Sequence, residues 1–501
     1  MQRTATTARS FFTRLARVGS ISAAAGLLAL LTACSGSPRR AAPAASITID
    51  GDVSDWPAEV VATADADYLY LRFRIAGPLI TLQASPETLS ILLDADDSSA
   101  TGAPISELAA ASSMGIDIEI QFSPMTDSGQ PANGVSAIAI DSTGATERLS
   151  HTALDFHFSP TYASEWYEAR ISRQSTGAGL LSPGILKGRS VRGVLGLYDA
   201  AGNISGASEA FGTAMPPAAS ERRLSDTPVP ATPRGALRVM TYNVLRSSPA
   251  SNPGPFTRLV RLINPDVILI QEWDTDAATI GAWFDAALPE HAPWSVVATS
   301  GLYGVGLVTR HPLVSSTVDG SLTPGVAAIG ESKVRFAGAV VRTPLGDVLV
   351  GSTHLKCCGT AGSSEDVRRM EEARAINTAF GAMGNRSLAL RVIGGDMNLV
   401  GSRGPIDTLR GGLDADGSDM EIAPAMVLGD AAYYTWSDTG SPFSPGRLDY
   451  VLVGDSQARV VRSFVVDTAR LTDSALAQSG LQRGDSRGSD HMPVVVDVVR
   501  R

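Results

Sequence analysis

Apolar and polar positions alternate in short runs along the early part of the chain. Residues 68–75, 115–122 and 165–171 carry period-two patterns or aromatic enrichment, bounded by Gly, Pro, Ser and Asp. Successive side chains of a strand point to opposite faces, so these runs predict half-buried strands. No long amphipathic helical pattern interrupts them, and residues 46–212 are therefore expected to form an all-β sandwich. Between 213 and 235, Pro216, Pro217, Pro228, Pro230 and Pro233 interrupt regular structure and predict a linker.

Beyond the linker the pattern changes. Leu237 to Tyr242 reads as a strand, and Phe256, Leu259, Val260 and Ile263 recur at helical spacing until Asn264-Pro265 ends that helix. Asp266 to Ile270 returns as a buried strand, and 334–342 with 348–353 reads as a hairpin ending at His354. Ser364-Glu365-Asp366 opens a helix to about Phe380, with Val367, Met370, Ala373 and Ile376 expected inward. Residues 388–393 form a further strand. Strands mixed with helices over 236–501 predict an α/β unit separate from the sandwich.

A length of 501 residues gives room for two domains plus tails, and 44% hydrophobic with 18% charged residues permits a sizeable core. The formal charge of -10 argues against general affinity for polyanions, which is mostly cation-driven. Arg14 and Arg17 precede an apolar run over 21–30, shorter than the roughly 20 residues of a spanning helix, so 1–33 is expected to be a signal peptide. Leu31-Thr32-Ala33-Cys34-Ser35-Gly36 resembles the lipobox of bacterial lipoproteins. That resemblance implies a lipidated Cys34, a tether over 34–45, and an exported protein anchored to the membrane of a bacterial cell envelope. Of 3 cysteines, Cys357 and Cys358 remain. Their Cα atoms, about 3.8 Å apart, are closer than the roughly 4.4–6.8 Å a disulfide prefers. Vicinal bridge, soft-metal trap and inert thiols stay open, with a structural role favoured.

Candidate chemistry lies where apolar runs meet polar residues. Asn243 ends one strand, Gln271-Glu272 another, and Ser352-Thr353-His354 a third. Gly394-Gly395-Asp396-Met397-Asn398, Arg447-Leu448-Asp449 and Gly488-Ser489-Asp490-His491 complete the series. Phosphodiesters resist water because the anion repels nucleophiles, so a catalyst needs a metal, an oriented water and donors for developing charge. Glu272 suits a hard cation. Asp396 can take a proton from water that Asn398 orients, and Gly394 and Gly395 are expected to let a phosphate approach the backbone. As imidazolium ions His354 and His491 would donate to phosphate oxygens, while Asp449 either orients His491 or pairs with Arg447.

Taken in order, these motifs resemble the endonuclease/exonuclease/phosphatase superfamily from about Leu237 to the end. The resemblance implies an α/β four-layer sandwich, two central β-sheets flanked by helices, with a cleft at one sheet edge. It also implies that Asn243, Glu272 and Asp490 hold Mg2+, with Mn2+ or Ca2+ as alternatives. Asp396 with Asn398 would activate water, His354 and His491 would stabilise the phosphorane, and Asp449 would orient His491. Leu245 and Trp273-Asp274 depart from the repair-endonuclease branch, whereas His354 is similar to the deoxyribonuclease and sphingomyelinase-like branches. Tyr434-Thr435-Trp436 echoes an aromatic motif ahead of the Asp449 strand. The opening 49–57, with Asp94, Asp96 and Asp97, resembles carbohydrate-binding-module-9-like and DOMON-like sandwiches, which leaves a glycan ligand, or calcium at those aspartates, open.

The expected activity is a divalent-metal-dependent phosphoester hydrolase acting, as a monomer, on nucleic acid, nucleotide or lipid headgroup. Arg335, Lys356, Arg368, Arg369 and Arg374 are candidates for a nucleic-acid groove, and Trp273, Trp294 and Tyr303 for lipid or sugar contact. The competing reading is a glycan-binding surface protein with a catalytically degenerate phosphoesterase-like domain.

Overall fold

The computed structural model describes residues 47–75, 77–126, 128–174, 186–299, 301–318, 333–384 and 387–501. Cys34, the expected signal peptide and the tether lie outside these residues. Among the described residues no helix is long and apolar enough to cross a membrane.

The described residues up to Ala214 form strands and short 3-10 turns, arranged in a four-stranded and a seven-stranded sheet. Alternation explains the core between them. On Ile118–Phe122, Ile118, Ile120 and Phe122 enter that core, while Glu119 and Gln121 do not. The strand Tyr68–Arg74 sends Leu69, Leu71 and Phe73 into the same core, but Tyr70 packs with residues of the C-terminal unit. Both faces of the four-stranded sheet are thus covered.

Charged residues on that second face pair across the boundary. Arg170 is wholly buried and pairs with Asp430, and both nitrogens of Arg470's guanidinium fork reach Asp155 at 2.7 Å. Trp56 is buried and donates to Glu168 Oε2 at 2.9 Å, so it is a packing residue and no stacking platform. The proline-rich segment is pinned as well: the Ala219 amide donates to Ala66 O at 2.9 Å and the Ser225 amide to Arg470 O at 2.8 Å. The expected linker is thus hydrogen-bonded to both units. Asp97 turns toward Ser190 and Arg192, and Asp117 takes its place beside Asp94 and Asp96. Amides of Ser98, Gly115 and Ala95 already bond Asp94 and Asp117, as in a turn.

The C-terminal unit contains two six-stranded sheets. Val239, Leu269, Val350, Val392 and Val496 fill the space between them. Helices Pro253–Ile263 and Ala277–Ala287 cover the outer face of one sheet through Phe256, Leu259 and Phe284. Ser364–Met383 and Gly404–Arg410 cover the other through Ala373, Ile376 and Leu409. The unit is an α/β fold in which apolar stripes at helical period meet strands buried on both faces.

One expected helix face is corrected. On Ser364–Met383, Val367 is 43% exposed, while Arg368 and Arg369 are buried and so line no nucleic-acid groove. Arg369 Nη1 donates to the carbonyls of Lys356 and Cys358 at 2.8 and 2.7 Å, and Arg368 pairs with Glu372 at 2.9 Å. The irregular segment after His354 needs donors for its buried carbonyls, and arginine supplies them where valine cannot.

A second buried pair supports the other sheet. Arg238 and Asp497, opposite one another on neighbouring strands, form two bonds at 2.7 and 2.8 Å with almost no exposure. Arg238→Ala leaves a carboxylate buried and unpaired, so the urea unfolding midpoint is expected to fall by an amount equivalent to about 3–5 kcal/mol. A loss below about 1 kcal/mol, the worth of an exposed pair, would contradict that role.

Candidate active site

Strand register assembles the site. Leu237–Asn243 and Val267–Gln271 run parallel, with Asn243 opposite Gln271, so Glu272 emerges beside the end of the first strand. In the second sheet Gly346–His354 and Leu390–Asp396 are parallel with His354 opposite Asp396, and Asp396 in turn faces Asp449. Trp436 bridges to His491, which brings the C-terminal motif over the same edge. The motifs that sequence separates by up to 248 positions, Asn243 to His491, therefore share one rim.

Asp396 is the hub. Its Oδ2 accepts from Asn243 Nδ2 at 3.1 Å and lies 3.4 Å from His354 Nε2 and 3.7 Å from His491 Nε2. Its Oδ1 accepts the Asn398 amide at 3.0 Å. Burial, against the opposing pull of His491, raises the Asp396 carboxyl to about 7. Asn398, with φ of 47°, sits in the left-handed region that asparagine tolerates, and its Nδ2 donates to Leu355 O at 3.1 Å.

Asp449 is fully buried and bonds His491 Nδ1 at 2.8 Å. The alternative pairing with Arg447 does not form; that guanidinium stacks over Tyr450 at 4.3 Å. Burial alone would depress His491, but the Asp449 and Asp396 carboxylates carry it up to about 10. His354 moves the other way. Burial, then the charges of Arg335, His491 and Lys356, pushes it well below the usual imidazole range. The two rings are thus pushed in opposite directions, His354 toward the neutral form and His491 toward the imidazolium.

Glu272 has φ of 62°, a conformation that costs a non-glycine residue of order 1–3 kcal/mol. The preceding loop shares the feature, since Leu245, Arg246 and Ser247 have φ of 46°, 54° and 62°. Ser247 ties the two together: its amide donates to Glu272 O at 2.9 Å and its Oγ accepts the Asp274 amide at 2.7 Å. Glu272 Oε1 accepts from Asn243 Nδ2 at 3.2 Å. Asn243 therefore presents its nitrogen to both carboxylates, and its Oδ1 accepts the Leu245 amide at 3.1 Å. Asn243 thus touches both Glu272 and Asp396. Asp490 Oδ2 accepts from Trp436 Nε1 at 3.0 Å.

These oxygens suit a hard cation held loosely. Among the described residues the one group of three acidic, histidine or cysteine ligand atoms lying within 4.8 Å of each other is in the sandwich. Glu272 and Asp490 are the carboxylates that fit.

Several expectations about neighbours change. A side chain at Gly395, φ 150°, would put Cβ 1.8 Å from Thr353 O, and Cβ at Gly394 would meet Leu269 at 2.9 Å. These glycines permit close strand and sheet packing instead of phosphate approach. Trp273 and Trp294 are core residues; Tyr303 lies edge-on to His354 with centroids 6.2 Å apart and carries Arg246 on its face. Cys357 and Cys358 are free thiols with Sγ atoms 2.8 Å apart. Thr435 was missed as a functional residue. Its Oγ1 donates to Asp449 Oδ2 at 2.6 Å and accepts the Leu448 and Asp449 amides at 3.0 and 2.9 Å. The Tyr434-Thr435-Trp436 motif was its only signal.

The rim opens on a cavity of about 520 Å³ that Glu272, His354, Asp396, Asn398, Asp490 and His491 line in part. The model of the Endonuclease/Exonuclease/phosphatase family matches residues 240–491. No curated protein matches. Similar solved structures include an endonuclease/exonuclease/phosphatase from Bacteroides vulgatus, 16% identical, with 53% of this chain and 99% of that one covered and a TM-score of 0.38. The mannosyl-6-phosphatase of Bacteroides thetaiotaomicron is 18% identical over 52% of this chain and 99% of its own, with a TM-score of 0.37. Sphingomyelinase C from Streptomyces griseocarneus is 20% identical over 52% and 99%, with a TM-score of 0.36.

Proposed function

The chain belongs to the endonuclease/exonuclease/phosphatase family, and on that premise we propose that it is a divalent-metal-dependent phosphoester hydrolase of the cell envelope. One observation carries the reading: Asp396 touches Asn243 and stands within 3.4 and 3.7 Å of two histidines, His354 and His491. Asp396 is the general base. A carboxylate with a value near neutrality accepts a proton from water and releases it again at working pH.

Asn398 places that water. Its Nδ2 is held by Leu355 O, which leaves Oδ1 as the acceptor. His491, kept charged and aimed by Asp449, donates from Nε2 to a non-bridging phosphate oxygen, and His354 donates as a neutral ring. A cation at Glu272 and Asp490 would supply Lewis-acid polarisation of the phosphoryl group. The four-layer reading of the sheets and helices goes with this assignment, as does anchoring through a lipidated Cys34. Residues 46–212 remain a carbohydrate-binding-module-like sandwich in this reading, and no buried or exposed aromatic described above favours a glycan platform on it.

The test is hydrolysis of bis-p-nitrophenyl phosphate, plasmid DNA and sphingomyelin by purified protein in Mg2+, after EDTA, and after Mg2+ is restored. Expected is turnover of at least one phosphodiester that EDTA removes and Mg2+ restores. Turnover indifferent to EDTA would refute metal dependence, and no turnover of any ester would leave the competing degenerate-domain reading standing.

A further inference from the structure

We propose that the N-terminal sandwich is the second wall of the substrate cavity, where Gln83, Asn133 and Ser444 form a subsite for a neutral, hydroxyl-rich alcohol portion of the phosphoester. The inference rests on the hydrolase reading for the phosphate and adds to it the identity of the group attached.

The cavity that holds Asp396 and His491 is also lined by Thr81, Gln83, Ala84, Asn133 and Thr161 from the sandwich. These residues are fastened to the loops that carry the chemistry. Thr161 Oγ1 donates to Leu399 O at 2.7 Å and the Ala163 amide to Gly401 O at 2.8 Å, both just after Asp396-Met397-Asn398. The Val135 amide donates to Pro442 O at 2.8 Å, and Gln83 Oε1 accepts the Ser444 amide at 2.9 Å, in the segment between Trp436 and Asp449. At Gly134, φ 102°, a Cβ would lie 2.4 Å from Pro442 O, so the approach of the two units leaves no room for a side chain. A loosely tethered module would not be joined this way.

The chemistry of the wall is neutral. Among the described residues no lysine or arginine lines the cavity, and its ionisable members apart from Cys357 and Cys358 are Glu272, Asp396, Asp490, His354 and His491. A polynucleotide needs cations along successive phosphates, and this wall provides none. It provides uncharged hydrogen-bonding groups instead. Ser444 is 2% exposed and its Oγ is buried with no partner; a group in that state costs free energy until a ligand hydroxyl or water meets it. Gln83, 7% exposed, uses Oε1 on the Ser444 amide and has no protein acceptor for Nε2 among the described residues. The Asn133 amide is exposed beside them. Phe443 and Leu448 supply apolar surface for the carbon face of a ring. A volume of about 520 Å³ fits a small molecule or a single headgroup. A site built to bond hydroxyls rejects analogues lacking them, because its own polar groups are then left unpaired.

The experiment uses the full protein with Mg2+ and compares kcat/KM for methylumbelliferyl myo-inositol phosphate with that for bis-p-nitrophenyl phosphate. Expected is a preference for the inositol ester that Asn133→Ala and Ser444→Ala each reduce by about fivefold to tenfold, chiefly through KM. Vesicles of phosphatidylinositol, set against phosphatidylcholine vesicles, separate a lipid headgroup from a free polyol phosphate. A ratio unmoved by both substitutions, or a preference for plasmid DNA, overturns the subsite while leaving the hydrolase intact. Calorimetry of myo-inositol phosphate on Asp396→Asn protein covers the case of absent turnover. Binding that Asn133→Ala weakens upholds the subsite even if hydrolysis fails, and no binding rejects it.

Discussion

Asp396→Asn is expected to lower kcat/KM for bis-p-nitrophenyl phosphate by about 10³-fold, within the range general-base removal gives. The change keeps the shape of the side chain and the bond from the Asn398 amide to Oδ1, so water placement survives while the proton acceptor is lost. It also sets an amide nitrogen or oxygen against Asn243 Nδ2, which now donates at 3.1 Å, and an unfolding midpoint measured alongside separates that packing cost from catalysis. The wild-type rate should climb as pH rises through about 7, where Asp396 ionises, and the variant should lack this limb. Retention of more than a tenth of the wild-type rate, with a normal pH limb, would remove Asp396 from the base role.

Asp449→Asn is expected to cost about 10²–10⁴-fold in kcat and to reshape the alkaline side of the profile. In the wild type the carboxylates of Asp449 and Asp396 overcome burial and hold His491 protonated up to about 10. Without the Asp449 charge burial prevails, the imidazolium is lost at lower pH, and the alkaline limb moves toward neutrality. The amide oxygen introduced by the substitution can still accept a bond from His491 Nδ1, so ring orientation is largely kept and the effect reports charge. An NMR titration of the His491 ring reads the shift directly. An unmoved ring titration in the variant would show that Asp449 acts by geometry alone.

Much of the rim was legible because each functional residue ends an apolar run of at least five buried positions or opens one. Val267–Gln271 and Val494–Arg500 illustrate this, with Glu272 just beyond the first and His491 shortly before the second. The helix faces were less legible. Val367 reads as an inward residue by hydropathy and Arg369 as a surface one, yet their positions are exchanged. The deciding factor is a run of carbonyls after His354 that only the fold places against that helix. Trp273 and Trp294 are similar: large apolar side chains say that something covers them, not whether it is a core or a ligand.

Local rules acting along the chain were enough to determine the α/β character of the C-terminal unit, the strand pattern of the N-terminal one and the chemical types gathered at strand ends. Period, turn residues and donor type are properties of neighbouring positions. Tertiary structure alone decided that His491 pairs with Asp449, that Asn243 reaches both carboxylates, and that Thr435 holds Asp449. It also decided that the sandwich walls the cavity. Burial and charge at a site sum over groups hundreds of positions apart, and the chain order of those groups carries no measure of the distance between them.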